Sequence, residues 1–190
     1  MNYLLVFVAA ILTDNLVFTR LLGAEHAVAS YEDPSAALRV GGLVTALTTL
    51  VGTVTYVLHA FVLHPLSVGF LCVPLCVLLT CAALAALEAV TAEKETLQDA
   101  LRGRLPLLTT NGVILGAVYL AAAQEMNLGM AVLLFLGAGV GFTLAALVFA
   151  SVRERLVEAE PPAAFAGIPL MLLAAALVVM AFSGFAGFRF

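Results

Sequence analysis

Two short polar tracts interrupt apolar stretches of this chain: Thr13-Asp14-Asn15 in the first and Thr109-Thr110-Asn111-Gly112 in the fourth. Oxygen-bearing side chains in such places can do two kinds of chemistry. They can pass or hold a hard cation or a proton, or they can satisfy backbone groups freed where a helix breaks. Placing an Asp near the centre of a membrane span costs roughly 2.5–3.5 kcal/mol on insertion scales, so an intramembrane carboxylate is a functional candidate by default. Asp14, Asn15, Thr110 and Asn111 are therefore candidate ion-pathway residues. The competing reading of Asp14 and Asn15 is a structural hydrogen bond to a neighbouring helix. Glu88, just past the last apolar residue of the third stretch, joins the candidates as a carboxylate that could load an ion from the cytoplasm. A side chain reaching to the headgroups is its plainer reading.

Other chemistries are poorly served. No Ser-His-Asp, Cys-His or paired-carboxylate arrangement reads as a hydrolytic site, so no catalytic residue is assigned. Cys72, Cys76 and Cys81 share one apolar stretch without the CxxC spacing of a zinc or redox site, and read as small buried packing residues. His26, His59 and His64 are too scattered for a metal constellation. Gly137-Ala138-Gly139-Val140-Gly141 lacks the preceding strand of a nucleotide-binding turn; its Gly137 and Gly141 instead form a GxxxG packing face. There is no basic cluster of the kind nucleic acid requires.

The elements that must position these residues follow from composition. The 190 residues are 64% hydrophobic and 11% charged, with a mean hydropathy of +1.15, which describes an integral membrane protein. Six apolar runs approach the length needed to cross a ~30 Å hydrocarbon layer. They lie at about Tyr3–Leu22, Ala37–Leu58, Leu66–Leu87, Leu105–Ala123, Leu128–Ala150 and Ile168–Gly187. The first run lacks the basic flank and uniform apolarity of a secretory signal and is expected to remain as a helix. Pro74 is a possible kink in the third run, and Pro106 a start for the fourth.

Of the eight Lys and Arg residues, all but Arg189 fall in or beside the odd-numbered connectors. The positive-inside rule places those connectors in the cytoplasm and both termini outside. Arg153-Glu154-Arg155 closes the fifth run at that interface, where headgroup anchoring is the expected role. Six spans divide into two groups of three, which must insert in opposite senses. The breaks fall in the first span of each group, and Asn15-x-Val17 echoes Asn111-x-Val113. The expected fold is therefore all-α, a single integral membrane domain over 1–190. It has six transmembrane helices as two inverted three-helix repeats (about 1–92 and 103–190), with spans one and four interrupted at mid-membrane.

Longer motifs carry a resemblance. Asn15-Leu16-Val17-Phe18 with Leu21-Leu22-Gly23, then Leu105-Pro106-Leu107-Leu108-Thr109-Thr110-Asn111, resemble the first-span and fourth-span motifs of the Rnf/Nqr membrane subunits. Val152-Arg153-Glu154-Arg155-Leu156, Pro162-x-x-Phe165-x-Gly167 and Phe182-Ser183-Gly184-Phe185 continue the likeness, which runs nearly end to end and is strongest to the A-type subunits. The resemblance implies a bacterial cytoplasmic-membrane subunit paired with a homologous E-type partner. The complex would move electrons between ferredoxin and NAD, coupled to Na⁺ or H⁺ translocation. It also implies a [2Fe-2S] cluster at mid-membrane, to which each of the two subunits gives two cysteines. Glu88 matches the family's acidic residue at the end of the third span.

The chain departs from that pattern where it matters most. Glu25 stands at the first cluster-cysteine position, and Gly112 directly after Asn111 at the second. Glycine has no ligating side chain, and a carboxylate is a poor substitute for thiolate at an iron–sulfur centre. The expectation is a divergent subunit that holds neither the standard cluster nor another cofactor or metal of its own. A stand-alone cation transporter or channel on the same scaffold is the alternative.

Overall fold

The computed structural model describes residues 3–24, 27, 34–91, 111–158, 162 and 167–187. Among them the regular structure is helical: α1 (Tyr3–Ile11), α2 (Leu16–Arg20), α3 (Pro34–Leu58), α4 (Cys72–Thr91), α5 (Gly112–Ala123), α6 (Leu128–Glu158) and α7 (Ile168–Ser183). Short 3-10 turns precede α4 and follow α7. Three segments, Pro34–Leu63, Gly69–Val90 and Leu128–Leu156, are long and apolar enough to cross a membrane; Gly112–Ala123 and Ile168–Ser183 are shorter apolar helices. With the composition, this makes the chain an all-helical membrane protein.

The interruption expected in the run Tyr3–Leu22 is present: α1 and α2 are separated at Asn15, which takes an extended conformation and turns its side chain onto the amides that follow. Several boundaries differ from the sequence expectation, each for a local reason. The fifth run continues past Ala150 to Glu158, since the good helix formers of Arg153-Glu154-Arg155 carry α6 beyond the apolar stretch. Pro74 does not kink a helix. It sits in the first turn of α4, where its missing N–H is no loss. Between α3 and α4 the helix widens into a π-helical turn at His59–Leu63, where the His64 N–H bonds the His59 carbonyl five residues back. α4 runs through the start of the third connector to Thr91, and the stretch 92–110, which includes Pro106, lies outside the described residues.

α3 and α6 form the antiparallel centre. Gly41 of α3 faces Thr143 of α6, Gly139 faces Thr45, and Gly52 faces the Phe135 ring; a Cβ on those glycines would stand 2.6, 2.5 and 2.9 Å from its neighbour. In a membrane, where lipid tails are as apolar as the helices, close backbone approach at small residues is a main source of association. The threonines of α3 do not oppose this packing. Thr45, Thr48, Thr49, Thr53 and Thr55 each donate their hydroxyl to the carbonyl four residues earlier, at 2.6–2.8 Å, so none carries an unsatisfied donor into the apolar interior. At its far end Tyr56 donates to the Met126 carbonyl, tying α3 to the turn between α5 and α6.

α1 runs along α6 in the same direction. Gly129 meets Tyr3, Gly137 meets Phe7 and Ala10, and Gly141 meets Ala10 and Asn15. The GxxxG of α6 is thus a packing face, as its spacing indicates. α5 runs opposite to α2, with Gly112 against Leu22–Gly23 and Gly116 against Leu22. α7 is held chiefly through its C-terminal half, where Phe182 stacks on Phe18 with ring centroids 3.9 Å apart. On α4, Cys72 and Cys76 are buried as expected, but Cys81 is exposed.

Candidate functional site

The two polar tracts become two helix starts. Asn15 precedes α2 with φ −60° and ψ 117°; Asn111 precedes α5 with φ −62° and ψ 115°. In each, the side-chain oxygen accepts from the backbone N–H two residues on, Val17 in one case and Val113 in the other, both at 2.9 Å. This is the N-cap geometry, which satisfies a backbone donor that would otherwise be orphaned at a helix start. In a membrane interior no water is present to do so. Both asparagines are buried among apolar neighbours.

Their amide nitrogens differ. Asn15 Nδ2 donates to the Ile11 carbonyl at 2.8 Å and to the Gly141 carbonyl at 3.0 Å, and its oxygen also accepts from Phe18 N. Every hydrogen-bonding position of that amide is used: it caps α2, closes the end of α1 and staples both to α6. Asn111 Nδ2 is buried without a hydrogen-bond partner among the described residues. A buried donor left unmade costs about 1–3 kcal/mol.

Among the described residues, the remaining sequence candidates Asp14 and Glu88 are exposed rather than gathered around these amides. Asp14 is exposed beside Asn15, with its backbone N–H on the Ala9 carbonyl. Glu88 is exposed near the end of α4. Thr109, Thr110 and Glu25 lie outside the described residues. No group of three or more His, Cys, Asp and Glu side chains among the described residues is arranged to hold a metal ion.

The turn after α2 brings the two helix starts together. Leu21 and Gly23 take left-handed backbone conformations (φ 55° and 75°), turning the chain back onto the first residues of α5. Gly23 packs against Asn111, Val113 and Phe142, so that a Cβ there would come within 2.7 Å of Val113 and 3.1 Å of Asn111 Oδ1. Reciprocally, a Cβ on Gly112 would stand 2.9 Å from the Gly23 nitrogen and 3.4 Å from Leu22 backbone atoms. These contacts bear on the fit of an iron–sulfur cluster at position 112. At position 112 there is no ligating side chain, and the direction a side chain would take is filled by backbone. The residues present there do not fit the group.

A further pairing lies at the crossing of α3 and α6. Thr45 Oγ1 donates to the Gly41 carbonyl at 2.8 Å, and Thr143 Oγ1 to the Gly139 carbonyl at 3.0 Å. The two hydroxyls stand 3.2 Å apart. Exchanging Gly41 and Thr45 with Gly139 and Thr143 leaves this set of contacts unchanged. Sequence reasoning missed the pairing, although the shared Gly-x-x-x-Thr spacing was there to find.

Comparison with known proteins adds a further finding. A family model described as "Rnf-Nqr subunit, membrane protein" matches residues 3–189. The chain is 34% identical over 190 residues to the A-type subunit of the Na(+)-translocating ferredoxin:NAD(+) oxidoreductase complex of Acetobacterium woodii, covering 100% of this chain and 99% of that one. It is 35% identical over 187 residues to the A-type subunit of the ion-translocating oxidoreductase complex of Rhodobacter capsulatus, and 35% identical over 187 residues to the protein of the same description from Aromatoleum aromaticum. In both cases 98% of this chain and 97% of the relative are covered.

Proposed function

The chain belongs to the Rnf-Nqr family of membrane subunits, and from that premise we propose how it serves as the A-type subunit of an Rnf-type ion-translocating ferredoxin:NAD⁺ oxidoreductase complex. The observation that carries this reading is the end-to-end match, over residues 3–189 to the family and over 190 residues to a relative of that description. It is a multi-pass membrane protein and acts with other Rnf subunits, foremost a homologous E-type membrane subunit, in a bacterial cytoplasmic membrane.

Its scaffold is read as two inverted three-helix repeats of six spans, one repeat beginning with α1–α2 and the other with α5. The matched caps at Asn15 and Asn111 and the reciprocal Gly–Thr contacts of α3 and α6 support this reading. Both termini are assigned to the outer face. In support, α1–α2 and α6 run in the same direction, and both end in basic residues, Arg20 in one and Arg153 and Arg155 in the other.

The subunit holds no standard [2Fe-2S] cluster. Its family ligand positions are Glu25 and Gly112, and the second is packed against backbone. What remains for it is assembly and ion passage. Asn15 is committed to holding the fold, so passage of Na⁺ or H⁺ is assigned to Asp14 and Glu88, with Thr110 and Asn111 at the second break.

Two experiments test this. A tagged copy purified from native membranes brings down its E-type partner together with the redox subunits; isolation as a lone protein with cation flux of its own contradicts the complex and favours a transporter. In the reconstituted complex, Asp14→Asn and Glu88→Gln each slow ion transport several-fold, while unchanged transport removes those residues from the path.

A further inference from the structure

We infer that the contact between Gly112 and the Leu22–Gly23 backbone is a closure that joins the two breaks directly, in the place where the family resemblance puts one arm of a cluster. The inference rests on the cluster-free reading above and goes beyond it. The position has not merely lost a thiol: the chain has packed so that no side chain fits there.

The physical case is the kind of atom each glycine meets. A Cβ on Gly112 meets main-chain atoms, the Gly23 nitrogen at 2.9 Å and the Leu22 carbonyl carbon and Cα at 3.4 Å. That turn cannot simply step aside. Leu21 and Gly23 are in left-handed conformations, and the Leu22 N–H is bonded to the Leu16 carbonyl at 3.0 Å. On the other side Gly23 is pressed against Val113, Asn111 and Phe142. One turn further along α5, a Cβ on Gly116 would stand 2.4 Å from Leu22 Cδ1. That overlap is closer, but it involves the far end of a flexible side chain that can rotate away. Gly42, on α3, meets nothing within 4 Å. Separation alone ranks Gly116 as the most sensitive of the three; the closure ranks Gly112 first.

Gly112 is accordingly a positioning residue. By admitting the Leu22–Gly23 backbone it lets the turn after α2 rest on the start of α5, which sets the two capped helix starts against one another. A cysteine there would have its Sγ beyond a Cβ that is already too close to the Gly23 nitrogen. Reinstating the thiol would push the breaks apart rather than rebuild a ligand.

The test compares Gly112→Ala, Gly112→Cys, Gly116→Ala and Gly42→Ala in the full chain purified with its E-type partner, reading thermal unfolding by circular dichroism together with iron content. The expected order of destabilisation is Gly112→Cys and Gly112→Ala first, with Tm lowered by roughly 5 °C or more. Gly116→Ala follows with a smaller shift, and Gly42→Ala is unchanged or slightly raised. Iron does not increase in Gly112→Cys. If Gly112→Cys is too unstable to purify, the order of the three alanine variants decides. A Gly112→Ala shift no larger than that of Gly116→Ala overturns the closure, as does iron gained by a stable Gly112→Cys. Iron already bound stoichiometrically at this pair in the unaltered protein would instead overturn the cluster-free reading, leaving the stability order to judge the closure by itself.

Discussion

The two helix starts at Asn15 and Asn111 have the same backbone dihedrals to within a few degrees and the same 2.9 Å cap, yet their amides are used differently. Asn15 directs both of its N–H groups to carbonyls, one of them on α6, and so fastens the first break to the centre of the molecule. Asn111 caps α5 and its nitrogen has no partner among the described residues; what holds that helix start is the Leu22–Gly23 turn lying on Gly112. One break is secured by hydrogen bonds and the other by close packing. The same local motif can thus be seated by two kinds of force, with different sensitivity to substitution.

The largest expected contrast comes from Asn→Asp. At position 15 the change removes two donors and faces a carboxylate toward two carbonyl oxygens, costing about 3 kcal/mol or more, enough to lose folded protein. At position 111 no donated bond to a described residue is lost, and the N-terminus of α5 favours a negative charge by about 0.3–1 kcal/mol. Thermal unfolding of the purified protein should therefore show Asn15→Asp as much the worse of the two. Equal losses would break the contrast.

Alanine sharpens it. Asn15→Ala removes the cap and leaves the Ile11 and Gly141 carbonyls without side-chain donors, for about 2–3 kcal/mol. Asn111→Ala removes a cap, for about 1 kcal/mol, and is partly offset because a buried donor with no partner among the described residues goes with it. Chemical denaturation in mild detergent reads the difference, and a larger loss at 111 would reverse the assignment of the two fastenings.

The smallest effects belong to the crossing of α3 and α6. Thr45→Val and Thr143→Val each delete one member of a hydroxyl pair whose surroundings are reciprocal, for about 0.5–1 kcal/mol. The two variants should match closely, and the double variant should cost less than their sum because the 3.2 Å contact is counted twice. Unequal single losses would show that the crossing is less symmetric than its contacts.

Much of this arrangement was legible in the sequence for one reason: polar residues inside apolar runs are rare enough to be read. Asn15 and Asn111 stood out as breaks, and the GxxxG of α6 as a packing face. Boundaries were harder, because apolarity marks the membrane and not the helix. α6 therefore runs on to Glu158 through charged residues that are good helix formers. Pro74 was ambiguous because a kink and a first turn share the same residue type. The role of Asn15 was also open, since a saturated amide and a free one look alike until their neighbours are placed. Least legible was the closure at Gly112. A glycine reports only that something is near, and the partner, the Leu22–Gly23 backbone, is distant in sequence and carries no polar signal.

The proposed absence of a cluster is tested most directly by iron content and electron paramagnetic resonance of this chain purified with the proposed E-type partner alone. The expected result is no stoichiometric [2Fe-2S] signal from the pair, and no change in iron when Glu25 is replaced by Ala. A signal at about one cluster per pair, diminished by Glu25→Ala, would contradict it.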